Sequence, residues 1–330
     1  MSYYLGIDGG GTKTTCAVGD ESHSLATATA GPSNIVRVGQ AQARESLQAA
    51  VRQACAAAGI TPAQVAHTCV GGSGAARPEL AELVRRCLAE ILSTPIDVVG
   101  DMQIALEAAF DAGPGVIVIA GTGSIAYGRD ASGNTVRAGG WGFAIGDEGS
   151  AHWIGRTAVS AVLRAADAYA ADPSDAGSET VKHSSLAEAL FKVWGVQSRP
   201  DLARAANSVP PPDFAALFPA VAASDDDIAH QVLIQAGREL ARIAEVVILR
   251  LWAKDETASI PVAVRVAVPV AMIGGVFRHA ALVRQVFSDE LRAHEPRADV
   301  NPQVVEPVEG ALRLARRATK CGADTPVRRF

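Results

Sequence analysis

The same short pattern opens the chain twice. Tyr3 to Ile7 reads as a β-strand, Asp8-Gly9-Gly10-Gly11-Thr12-Lys13 as a tight turn, and Thr14 to Val18 as a returning strand. Further on, Val116 to Ala120 is a strand, Gly121-Thr122-Gly123-Ser124 a glycine turn, and Ile125 to Tyr127 a strand. Such a unit at the head of each half predicts a duplicated α/β fold. The break at Gly113-Pro114-Gly115 separates the copies, so domains of residues 1–113 and 114–330 are expected.

The rest of the pattern alternates helices and strands. Ser24 to Ala30 reads as a third strand, and Gln40 to Ala58 has helical spacing. His67 to Val70 and Ile96 to Val99 are strands, and Pro78 to Leu92 and Met102 to Phe110 are helices. Later helices are predicted over Ala151 to Ala170, Ser185 to Trp194, Asp226 to Leu251, Ala280 to Leu291 and Glu309 to Ala318. Val262 to Ile273 reads as a strand running into Gly274-Gly275, where a tight turn is expected.

With 330 residues, 48% hydrophobic and 20% charged, the chain can bury two sizeable cores. Its formal net charge of -5 argues against non-specific nucleic-acid binding, which needs a basic face. No basic amphipathic segment suggests a membrane surface, and no apolar run is long enough to span one. The N-terminus lacks the basic n-region of a signal peptide, so a cytoplasmic location is expected. The cysteines, Cys16, Cys55, Cys69, Cys87 and Cys321, form no C-x-x-C pair and read as reduced, mostly buried thiols.

The glycine loops carry the chemistry. Three glycines in the first turn let backbone N–H groups approach an anion, Thr12 and Thr14 add hydroxyls, and Asp8 could hold a hydrated Mg²⁺. The alternative is an ordinary glycine-rich hairpin. It is no Walker A loop, because Lys13 is out of register and no helix pattern follows. Gly121-Thr122-Gly123-Ser124-Ile125-Ala126 matches G-x-G-x-x-A, but a strand follows where a dinucleotide fold needs a helix. A second phosphate-touching hairpin explains it better.

Gly139-Gly140-Trp141-Gly142 and Gly146-Asp147-Glu148-Gly149-Ser150 are the densest glycine cluster. An aromatic ring and a carboxylate on such a loop suit a sugar, whose ring face is apolar and whose hydroxyls donate. A structural loop with a solvated acidic pair is the alternative. Asp101 closes a buried strand and opens a helix, as an N-cap, a general base, or both. Gly274-Gly275 either wraps an adenine or closes a turn.

In order, D-G-G-G-T at Asp8 to Thr12, G-P-S-N at Gly31 to Asn34, G-G-S-G at Gly71 to Gly74, Asp101, A-G-T-G-S at Ala120 to Ser124, G-G-W-G-x-x-x-G-D-E-G-S at Gly139 to Ser150 and G-G-V-F at Gly274 to Phe277 resemble the N-acetylglucosamine kinase family. That family is close to the activator ATPases of 2-hydroxyacyl-CoA dehydratases and benzoyl-CoA reductases, within the actin/hexokinase/Hsp70 ATPase superfamily. The resemblance runs from Tyr3 to about Ala318. It implies an α/β protein of two ribonuclease-H-like domains with a central cleft that takes ATP.

The resemblance also implies roles. Gly10, Gly11, Thr12, Lys13, Thr122, Gly123, Gly274 and Gly275 would contact the nucleotide. Asp8 would bind Mg²⁺ through water. Asp101 would take the proton from the sugar 6-hydroxyl. Asn34, Ser73, Gly140, Trp141, Gly142 and Asp147 would hold an amino sugar, most simply N-acetylglucosamine, with glucosamine or another hexosamine as alternatives. A homodimer is implied as well. Gly100 departs from the family pattern, and Asp172 to Asp227 matches no motif of it. The rival class is an activator-type ATPase without a sugar substrate, which would need cysteine ligands for an iron–sulfur cluster.

Overall fold

The computed structural model describes residues 2–72, 74–75, 77–171, 184–252 and 267–320. They divide into two units, one of Met1–Gly113 joined by the C-terminal segment from Val305, the other of Pro114–Val304.

Unit one is built on β1 (Tyr3–Gly9), β2 (Thr14–Gly19), β3 (Ser24–Ala30), β4 (Val65–Gly72) and β5 (Ile96–Gly100), in the order β3-β2-β1-β4-β5. The first three strands are an antiparallel meander, and β4 and β5 add in parallel on the other side of β1. Parallel addition needs crossovers, here α1 (Ile35–Ala57) and α2 (Pro78–Ala89). The two-residue strand period divides the sheet into two faces. Leu5, Ile7, Cys16 and Val18 pack against Leu47, Ala50, Val51 and Ala54 of α1. Tyr4, Ala17 and Cys69 face the other way, toward Ile104 of α3 (Asp101–Phe110) and a helix from the far end of the chain.

Unit two repeats the plan. Its strands are β6 (Gly115–Ala120), β7 (Ser124–Arg129), β8 (Thr135–Gly139), β9 (Val268–Ile273) and β10 (Ala298–Val305), in the order β10-β9-β6-β7-β8. Read from β8, this is the order of unit one, again with an antiparallel meander and a parallel addition, β6–β9. The helices are α4 (Ala151–Ala171), α5 (Ser185–Trp194), α6 (Arg199–Ala206), α7 (Phe218–Ala222), α8 (Asp227–Trp252), α9 (Gly275–His279) and α10 (Ala281–His294). α8 lies on the meander, where a Cβ at Gly128 would reach Val247 and Leu251 at 2.7 and 2.8 Å.

The last described helix, α11 (Pro307–Lys320), lies within the expected second domain of 114–330 but groups with unit one. Val308, Ala311, Leu312 and Ala315 pack into the core of unit one, on β1 and α3. Gly6 makes this possible, because a Cβ there would stand 2.3 Å from the Leu312 backbone nitrogen. Glu107, nearly fully buried on α3, is held by Arg317 of α11 at 2.5 Å.

Other local expectations also shift. α1 begins at Ile35, with Asn34 as N-cap, and Gly39 (φ 78°) kinks it where the helical spacing was read to begin. β8 and β10 were not expected; Asn301 and Pro302 disguise the second. β9 starts only at Val268, and residues 262–266 of the anticipated strand lie outside the described residues. Gly274-Gly275 does not form a bare turn. Gly274 caps the short helix α9, and Gly275 is its first residue.

Candidate active site

In unit one the carboxyl ends of three parallel strands stand in a row. Gly9 of β1 pairs with Gly72 of β4, and Gly72 with Gly100 of β5. Ligands of open α/β sheets gather beyond this end of the strands. Asp8 precedes the row and Asp101 follows it. By the strand period Asp8 shares the face of Gly6, toward α11.

The charge of Asp101 acts on Asp8. Asp8 is pushed up from 3.8 to about 6, first by burial, then by the negative charges of Asp101 and Glu306, with Lys13 pulling the other way. Burial also raises Asp101, whose Oδ1 accepts the Met102 N–H at 2.9 Å. The N-cap position of α3 belongs to Gly100, not Asp101, which is the first helical residue. Asp101 is therefore not the N-cap residue itself, although its carboxylate accepts the first-turn amide of Met102.

The first glycine turn is tied down at its base and exposed at its tip. Gly10 N–H donates to Lys13 O at 3.0 Å, so that amide is occupied inside the turn. Gly10 O accepts the amides of Ser33 (3.1 Å) and Asn34 (3.2 Å), fastening the turn to the start of α1. Thr14 Oγ1 lies 2.8 Å from Gly31 O and 2.7 Å from Ser33 Oγ. Thr12 and Lys13 are exposed. A Cβ at Gly11 would stand 3.5 Å from Arg37 Nη1, which sets a guanidinium beside the turn. Asn34 Oδ1 caps α1 by accepting Val36 N–H at 3.1 Å. Ser73 lies outside the described residues.

In unit two the glycine turn and the Trp loop are stitched together by one carboxylate. Asp147 sits at φ 60°, a left-handed conformation that a non-glycine residue adopts at a cost. Its Oδ1 accepts Gly142 N–H at 3.2 Å. Its Oδ2 lies so near Gly123 that a Cβ there would be 2.7 Å away, which explains that glycine. Ser124 Oγ donates to Glu148 O at 2.7 Å. The turn is also tied to the start of α4, since Ala151 N–H donates to Gly121 O at 2.8 Å. Burial raises Asp147 above the usual carboxylate range, and the amides of Gly142 and Ser124 oppose this.

The Trp loop leaves its apolar groups uncovered. Trp141 is 67% exposed, Phe143 54% and Ile145 80%. The Arg137 guanidinium lies 4.8 Å from the centre of the Trp141 ring. Gly140 and Gly142 both have positive φ, as the bend at Trp141 requires. Gly274, at φ 105°, passes so close to Ala120 O that a Cβ would be 2.3 Å away, so α9 starts beside the Gly121 turn.

The structure thus groups Asp8, Gly10, Gly11, Thr12, Lys13, Asn34 and Asp101 in unit one. It groups Thr122, Gly123, Gly140, Trp141, Gly142, Asp147, Gly274 and Gly275 in unit two. Glu306 and Arg37 were not anticipated. Glu306 had a signal, an acid directly before a proline that starts a helix, and Arg37 had none beyond its place after Asn34.

The sequence model of the BadF/BadG/BcrA/BcrD ATPase family matches residues 5–315. The chain is 28% identical to an N-acetyl-D-glucosamine kinase of Dictyostelium discoideum over 96% of its own length and 98% of that protein. It is 37% identical to an N-acetylmuramic acid/N-acetylglucosamine kinase of Clostridium acetobutylicum over 169 residues, 51% of this chain and 55% of that kinase. A solved Chromobacterium violaceum structure assigned as an N-acetylglucosamine kinase shares the fold, with a TM-score of 0.68 and 24% identity over 96% of this chain and 99% of that one. A Thermus thermophilus ROK hexokinase matches more loosely, with a TM-score of 0.50 and 17% identity over 96% and 99% of the two chains.

Proposed function

The chain belongs to the BadF/BadG/BcrA/BcrD ATPase family, and from that premise we propose that it is an ATP-dependent kinase of amino sugars, most simply N-acetylglucosamine, acting on the 6-hydroxyl. The observation that carries this reading is the pair of raised carboxylates, Asp8 and Asp101, at the carboxyl ends of β1 and β5.

Asp101 is the general base. It accepts the O6 proton as O6 bonds to the γ-phosphorus and the bridging oxygen leaves with ADP. Its raised pKa makes it a better proton acceptor than an ordinary surface carboxylate. The tip at Gly11, Thr12 and Lys13 brings backbone amides and the Lys13 charge to phosphate oxygens, with Arg37 beside it. Thr122, Gly123, Gly274 and Gly275 serve the nucleotide from unit two. Asn34, with Oδ1 engaged in the helix cap, has its Nδ2 hydrogens to give a sugar hydroxyl. Trp141 supplies a ring face, and Asp147 holds the Gly142 backbone in place around the sugar.

Mg²⁺ fits Asp8, because a buried carboxylate already disfavoured by two neighbouring acids gains from a divalent cation. When bound, the ion offsets phosphate charge. The family resemblance further suggests a cytoplasmic homodimer. Among the described residues no helix is long and apolar enough to cross a membrane.

The activator-ATPase reading is the weaker one. Cys16 and Cys69 lie on β2 and β4, Cys55 and Cys87 on α1 and α2, and all four are buried. Burial holds their thiols above the ordinary range, Cys55 at about 11, so none is poised as a thiolate ligand at a surface. Cys321 lies outside the described residues.

The test is ADP release with Mg-ATP over a panel of amino sugars and plain hexoses, with the product identified by mass and position. Stimulation by one sugar with a matching 6-phosphate is expected. ADP release indifferent to every sugar would overturn the kinase reading in favour of the activator class.

A further inference from the structure

The exposed indole of Trp141 lies against a cation. β8 ends at Gly139, and the chain then doubles back, with Gly139 at φ 72° and Gly140 at φ 68°, the left-handed region that glycine enters freely. Gly140 rests on β7, where a Cβ would stand 2.7 Å from Ile125 Cδ1, so a side chain at this bend would push into Ile125. The next residue is Trp141. The bend brings its ring centre to 4.8 Å from the guanidinium carbon of Arg137, four residues earlier on β8.

The strand presents Arg137 for this contact. Val136 and Ala138 pack on the core of unit two, so by the two-residue period Arg137 points to the other face, where it is exposed. Its carbonyl accepts Arg250 Nη1 of α8 at 3.2 Å. The backbone is thus anchored from α8 while the guanidinium is left for the ring. Among the described residues that guanidinium has no carboxylate partner.

Packing does little to fix the ring, since Trp141 is 67% exposed. A guanidinium on an indole face is favourable even at an exposed site, worth on the order of two- to fivefold in population. An indole has two faces. With the cation on one, the other remains for the apolar face of a pyranose.

We propose that Arg137 is a positioning residue for the sugar: by covering one face of Trp141 it holds the indole in one orientation and presents the opposite face to the substrate. The assignment rests on the sugar-kinase reading, in which Trp141 supplies a ring face. A ring arranged before the substrate arrives loses less freedom on binding. The ring contact is made equally in the ground and transition states, so the effect falls on the sugar KM and not on kcat.

The experiment is a double-mutant cycle between Arg137→Gln and Trp141→Leu, with Arg137→Lys as the conservative variant. Thermal unfolding establishes that each protein is folded, which the exposure of Arg137 favours. Sugar phosphate formed from Mg-ATP gives kcat and the sugar KM. Acrylamide quenching of tryptophan fluorescence, taken as the difference from the Trp141→Leu protein, reports on the indole without substrate. Arg137→Gln should raise the sugar KM by about two- to fivefold, with kcat and the KM for ATP near the parent values, and make Trp141 easier to quench. Arg137→Lys keeps a cation and should recover part of the parent KM. In the Trp141→Leu background Arg137→Gln should add no further rise. A parent-like sugar KM in Arg137→Gln, or the same rise with and without the indole, would overturn the positioning role and leave the kinase intact. Absence of phosphorylation of any sugar by the folded parent chain would remove both.

Discussion

The two units share a strand order and divide the chemistry unequally. In unit one the residue before the last pair of the first hairpin is Asp8, opposite Thr15. In unit two the same place is Ile119, opposite Ile125. The ionisable groups of unit one sit at strand ends, where burial holds Asp8 and Asp101 above their usual range and the charge of Asp101 adds to the rise at Asp8. Asp147, the buried carboxylate of the unit-two glycine loops, comes instead from a turn and is engaged with backbone amides. A duplicated scaffold can thus keep reactive charge in one copy and use the other to shape loops. The difference lies in a few residues at the ends of corresponding strands, not in the topology.

That contrast can be broken first at its reactive end. Asp101→Asn should lower kcat by about 10²–10⁴-fold while KM for ATP stays near the parent value. Near-normal turnover would exclude Asp101 as the base. Asp147→Ala should act differently, because it removes the acceptor that pins Gly142 and leaves a half-buried amide without its partner, a loss of about 1–3 kcal/mol. Its mark should be a rise of about tenfold or more in sugar KM with a smaller change in kcat. If kcat alone collapses, Asp147 belongs with the reacting groups and the division between units fails.

Asp8 sharpens the comparison through stability. Its pKa is raised in the folded chain, so the folded state holds the proton longer than the unfolded one. Stability therefore falls as pH rises from about 4 to about 6, and the penalty is fully present above that window. A shift of this size corresponds to roughly 2–3 kcal/mol. Asp8→Asn should stabilise the metal-free protein by about that amount at pH 7 and flatten this part of the pH profile, as read by denaturant unfolding. Equal stability of the two proteins at pH 7 would refute the burial argument. The smallest effect tests the unit-two stitch. Gly123→Ala must displace the Asp147 carboxylate, while Gly121→Ala meets open space, so only the first should raise sugar KM, by a few-fold.

What could be read in advance follows from where information is local. The strand–turn–strand openings, Asp8, Asp101 and the Gly-Trp loop are legible because glycine and acid spacing announces a tight turn beside charge. β10 was hidden because its run, Ala298–Val305, carries Asn301 and Pro302 and is partly exposed, so neither apolar continuity nor clean alternation marks it. The helical character of Pro307–Lys320 was readable, but its partner was not. An amphipathic stripe records that a face will be buried and says nothing of which sheet will cover it. The places of Glu306 and Arg37 beside the site were hidden for the same reason, although Glu306 at least carried the signal of an acid before a helix-starting proline. Their importance comes from neighbours distant in sequence, Asp8 for one and Gly11 for the other.

The return of α11 to the first sheet has a consequence in time. During synthesis the first strand leaves the ribosome long before the helix that covers one of its faces. At about 5–20 residues per second, some 300 residues of further translation take roughly 15–60 s. Through that interval one face of the nascent sheet, with Tyr4, Ala17 and Cys69 on it, lacks its native cover. The amino-terminal half of this chain is therefore made first and finished last, and a premature stop ahead of Pro307 would injure the half of the protein already built.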